Sequence, residues 1–107
     1  MRILTGLVTL AALAATAAAA QPGRLTDVAY MQAARCVGLA SSGNLGTTDG
    51  KSMASWLDSQ ASGRDQVVLD KADEMRGKAK READHADQFA KAKLSAELSG
   101  SCATLKG

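Results

Sequence analysis

The residues best suited to chemistry in this 107-residue chain are a single histidine, two cysteines and one glycine-lysine-serine run. His85 sits in E-A-D-H-A-D, Glu82 to Asp87. A helical metal site could recruit Glu82 three residues before it. Asp84 and Asp87, however, point around a helix in other directions, so the three or four convergent ligands that a metal needs are not visible. No Ser, Cys or Lys nucleophile is placed near His85 by spacing, which leaves acid-base and nucleophilic catalysis without a constellation. We therefore expect no catalytic residue, no metal and no cofactor, and expect His85 to be solvent-exposed on a charged helix.

Gly46 to Ser52, GTTDGKS, superficially suggests a phosphate-binding loop. The pattern G-x-x-x-x-G-K-[ST] ending at Gly50-Lys51-Ser52 requires glycine at position 45, which is Leu45. No strand precedes it, so nucleotide binding is not expected.

Cys36 and Cys102 lack a C-x-x-C spacing and are expected to form a structural disulfide. Closing so long a loop stabilises a fold by about 4 kcal/mol on the chain-entropy account. Pairing between chains is the alternative. A disulfide presupposes an oxidising compartment, and residues 1–20, MRILTGLVTLAALAATAAAA, point to one. One cation at Arg2, an apolar centre and small residues ending in Ala18, Ala19 and Ala20 follow the plan of a cleaved signal peptide. A retained anchor is the competing reading, because 18 uncharged residues from Ile3 to Ala20 just reach spanning length. The alanine-rich second half is only weakly lipophilic, so we expect periplasmic or secreted localisation with no stable membrane anchor after cleavage.

The elements that position these residues are helical. The stretch 64–99 has no proline and one internal glycine, Gly77, and is rich in favourable helix residues. Val68, Ala72, Met75, Ala79, Ala83, Ala86, Ala90 and Leu94 form an apolar stripe with an eleven-residue rhythm, close to an untwisted helix rather than a heptad coiled coil. Alanine buries little area but allows close approach of a second helix. The opposite face is charged but balanced: residues 64–99 contain eight cations and eight anions, with opposite-sign pairs at i,i+4: Glu74–Lys78, Lys78–Glu82, Lys80–Asp84 and Asp87–Lys91. The cationic cluster Arg76, Lys78, Lys80, Arg81 is flanked by acids and reads as a solvated face.

Two shorter helices precede it. Thr26 is a good N-cap for a helix over 27–41, with Leu25 and Tyr30 at hydrophobic-staple spacing. Its apolar residues occupy more than one face, so it should be covered on several sides. The loop 41–50 follows, and Thr48 or Asp49 is placed to cap a helix over 50–61 bearing Met53, Trp56, Leu57 and Ala61. Gly63 should end that helix, and Ser62 with Asp65 resembles a capping box for the third.

The expected fold is thus all-α: one domain over 21–107, a bundle of three helices at 27–41, 50–61 and 64–99, stapled by Cys36–Cys102. Length strains this picture. At 1.5 Å per residue the third helix would run about 54 Å and the second about 18 Å, so a straight third helix overshoots the disulfide. It must bend or break, with Gly77 the favoured point, unless the connection stretches or the cysteines pair between chains.

Twelve cations against eleven anions in 21–107 give no electrostatic case for a nucleic-acid partner. Tyr30, Trp56 and Phe89 are the only aromatics. Trp56 and Phe89 are possible partner anchors, although with so few large residues both are expected in the core. The functional expectation is a non-enzymatic exported helical protein acting through contacts with an unknown protein partner in the cell envelope. The alternative is a periplasmic chaperone-like or stress protein.

Overall fold

A computed structural model describes residues 24–46 and 50–106. The expected signal peptide 1–20, Pro22 and the expected caps Thr48 and Asp49 lie outside the described residues. Among the described residues every regular element is helical: α1 Asp27–Ala40, a 3-10 turn Gly43–Leu45, α2 Gly50–Ser59, α3 Gln66–Asp84, α4 Gln88–Glu97, a π turn Leu98–Cys102 and a last short α5 Ala103–Lys106.

α1 is the centre of the molecule. The Thr26 hydroxyl caps it, accepting a hydrogen bond from the Ala29 N–H at 3.1 Å. Tyr30, Ala33, Ala34, Cys36, Val37, Gly38, Leu39 and Ala40 are all buried, so helices cover it on several sides. Val28 does not share that cover and is 61% exposed.

Hydrogen bonds and packing set the directions. Near the start of α1, Arg64 reaches Asp27 at 2.7 Å and Leu25 accepts from its other arm. Near its end, Ser42 meets Asp84. α3 therefore runs parallel to α1, and α2, which lies between them in sequence, returns antiparallel against α1. Gly50 starts α2 against the Ala40 carbonyl, and Gln60 just after it accepts from the Leu25 N–H at 3.0 Å. Met53 and Leu57 are its buried residues. Gly63, at φ +79°, turns the chain in a conformation suited to glycine. Ser62 does not cap α3: the N-cap is Asp65, without a side-chain cap bond, and the helix starts at Gln66.

The alanine stripe packs as its rhythm requires. Ala72, Ala79, Ala83 and Leu94 are buried, and Val68, Met75, Ala86 and Ala90 are half-buried. Close approach is most pronounced at Gly38. A Cβ there would collide with the Arg76 backbone carbonyl and stand 2.9 Å from the Ala79 Cβ.

The bend that the length argument requires is a full break, and it falls at residues 85–87 rather than at Gly77. The chain is helical through Gly77 to Asp84, then restarts at Gln88. The single expected helix over 64–99 is consequently two, α3 and α4. Asp87 is extended (φ −82°, ψ −177°) and its carboxylate accepts from the Ala90 N–H at 2.9 Å, the geometry of a helix N-cap. α4 then descends beside α1, from Leu94 packed with Leu39 to Cys102 bonded to Cys36. The architecture is an up-down-up-down bundle. The intrachain disulfide has an S–S distance of 2.06 Å and spans 66 positions.

Candidate functional site

Three side-chain clusters hold the elements in place, and each bears on the residues with chemical potential. The first surrounds Arg64, whose side chain is 3% exposed. Its guanidinium donates to the Gln60 carbonyl at 2.7 Å, to the Leu25 carbonyl at 2.8 Å and to the Asp27 carboxylate at 2.7 Å, and stacks 4.4 Å over the Tyr30 ring. Each of its three nitrogens is committed, so the cluster ties chain entry to the α2–α3 turn. Arg24 adds a bond to the Ser62 carbonyl at 2.8 Å.

The second cluster stands at the helix break. Ser42, 1% exposed, donates to Asp84 at 2.6 Å, and Asp84 also pairs with Lys80 at 3.0 Å. The Ser42 hydroxyl, and after it Lys80, hold the Asp84 carboxyl below its ordinary value. The Asn44 amide donates to the Ala83 carbonyl at 2.9 Å and the Ala86 carbonyl at 3.3 Å, satisfying groups that the end of α3 exposes.

The third joins three helices. Arg35 on α1 makes a two-pronged pair with Glu97 on α4, at 2.8 and 2.9 Å, and reaches Glu82 on α3 at 2.9 Å. Glu97 foremost, with Glu82 adding to it, raises the Arg35 pKa further above its already high ordinary value, and partial burial opposes them. Beside it an open cleft of about 320 Å³ is lined by Gln32, Arg35, Cys36, Glu97, Ser101 and Leu105.

These clusters account for the acids around His85. Glu82 turns to Arg35, Asp84 to Ser42 and Lys80, and Asp87 caps α4. His85 is exposed at the end of α3, its Nδ1 3.0 Å from the Arg81 carbonyl. Among the described residues no group of three or more His, Cys, Asp and Glu side chains could hold a metal ion. Of the four expected i,i+4 pairs Lys80–Asp84 forms, while Glu74 stands by Lys71 at 3.8 Å.

The two possible anchors separate. Trp56 is half-buried and packs against the main core, as expected. Phe89, expected in the core, is 75% exposed on α4, with the Lys93 ammonium 5.7 Å from its ring centre. The break explains this. Phe89 lies one residue into a new helix, so its direction follows the axis of α4 and not that of α3. Arg35, Ser42, Asn44 and Arg64 were not singled out from the sequence, and no local signal marks them. Each acts on a partner about forty or more positions away, such as Glu97, Asp84, Ala83 or Asp27.

No family model, curated protein or solved structure matches this chain.

Proposed function

We propose that this is an exported, non-enzymatic helical protein that acts through contacts with another protein in the cell envelope. Phe89 carries the reading: a large aromatic 75% exposed on a helix with only one buried side chain, Leu94. Aromatic residues supply much of the energy of protein interfaces, and Lys93 beside the ring adds a cation to the same face. The intrachain disulfide fits an oxidising compartment, and the plan of residues 1–20 supports export to one.

A photocrosslinker placed at exposed Gln88 tests this in intact cells. A discrete adduct should form, disappear in the Phe89→Glu background and be missing when the probe is moved to exposed Asp58 on α2. An adduct indifferent to Phe89 contradicts the reading.

The chaperone-like alternative draws on one observation, the attachment of α4 through a single buried residue beside the acid-sensitive Ser42–Asp84 bond. It predicts that excess protein suppresses aggregation of an unfolded client on acidification. An unchanged aggregation curve removes it.

A further inference from the structure

We infer that the C-terminal segment 88–106 is a redox latch, closed by Cys36–Cys102 and opened when a dithiol enters the cleft lined by Gln32, Arg35, Cys36, Glu97, Ser101 and Leu105. The inference stands apart from the proposed contact role of Phe89.

The argument begins with how unevenly the molecule is held together. α1, α2 and α3 share the main core of Tyr30, Ala33, Ala34, Val37, Ala40, Met53, Leu57 and Ala72. The segment after the break contributes two buried side chains, Leu94 and Cys102. Leu98 and Leu105 lie half-buried against the core, and Glu97 is tied to Arg35. A ten-residue helix is marginal in water without tertiary support. With the disulfide cut, Leu94, the half-buried Leu98 and Leu105 and a partly exposed ion pair remain to hold the segment. A partly exposed pair of that kind is weak and screened by salt.

Access is the second half of the argument. Cys36 is 4% exposed and is one of the residues that line the cleft. A dithiol thiolate attacks the Cys36 sulfur, forming a mixed disulfide there and releasing Cys102 as thiolate. The second thiol of the dithiol then displaces the Cys36 thiolate. Two electrons pass from the dithiol, which leaves as a cyclic disulfide, and two protons end on the protein thiols. The freed segment swings off α1 and uncovers Leu39, while α1, α2 and α3 keep their shared core.

The full chain, oxidised and in native buffer, is treated with dithiothreitol, and reduction is followed by mass. Expected is a rate linear in dithiothreitol and insensitive to low urea, slowed at least about tenfold by Gln32→Trp, which fills the cleft from exposed α1 surface without altering Tm. Hydrogen exchange on the reduced chain, and on the Cys36→Ser/Cys102→Ser variant, should show protection falling at least about 100-fold over residues 88–105 and staying within about threefold over 68–83. Four results overturn the latch: reduction only at the rate of global unfolding, reduction unchanged by Gln32→Trp, protection retained at 88–105, and protection lost equally at 68–83.

Discussion

Gly38 and Gly77 are both helical glycines, yet their surroundings give them opposite roles. A Cβ at Gly38 would enter the Arg76 carbonyl, whereas at Gly77 it would meet only the mobile Arg81 Nη1 at 3.4 Å. Gly38→Ala should therefore destabilise by about 1–3 kcal/mol through overpacking. Gly77→Ala should stabilise by about 0.5–1 kcal/mol through helix propensity. Urea midpoints of the two variants give the comparison. Arg64→Lys keeps the charge but not the three-way fork, and should cost about 1–3 kcal/mol in the same assay. Asp84 carries the pH dependence. Its folded pKa lies below the unfolded value of 3.8, so its bonds to Ser42 and Lys80 stabilise the fold above that value, and their contribution is lost as pH falls through the folded pKa. The stability gap between the native chain and Asp84→Asn should be full at about pH 7 and close under strong acid, as chemical denaturation at each pH will read. At this scale local signals were legible and distant ones were not. Thr26 beside Asp27 announces a cap, and two cysteines behind a segment that reads as a signal peptide announce a bridge. Nothing around Arg64 or Asn44 names a carbonyl or carboxylate so far away in sequence.

Between α3 and α4 the chain turns without glycine or proline, and that is why the break escapes the sequence. Residues 84–90 keep the alanine stripe in phase across the turn, and local propensity favours helix on both sides. The loop residue Asn44, bonded to the Ala83 and Ala86 carbonyls, and the Asp87 cap decide the matter. Gly77 drew attention because glycine is the poorest helix former present, but its carbonyl neighbours find ordinary helical partners and nothing inserts there. The stripe itself was legible: its spacing correctly identifies Ala72, Ala79, Ala83 and Leu94 as the packed face. Removing the capping amide by Asn44→Ala should destabilise the fold by about 1–2 kcal/mol. Amide exchange should accelerate most at residues 85–90, so a rise spread evenly along α3 would place the cause of the break elsewhere.

The topology of the molecule as a whole follows from that break. An unbroken third helix of about 54 Å would carry Cys102 far past Cys36, and the bundle could then close only by pairing cysteines between chains. With α4 folded back along α1, both cysteines meet inside one chain at a Cα–Cα distance of 5.7 Å. Helical class, the up-down-up course of α1 to α3 and the identity of the bridging residues were legible from periodicity and cysteine count. The fourth helix and the exposure of Phe89 were not, because both depend on where the chain reverses. The measurement that tests this most directly is the intact mass and solution size of the unreduced chain 21–107, set beside its reduced form. The fold described here predicts a monomer two hydrogens lighter than the reduced protein, with Cys36 and Cys102 recovered in one crosslinked peptide pair. A disulfide-linked dimer that becomes monomeric on reduction would contradict it and restore the long straight helix.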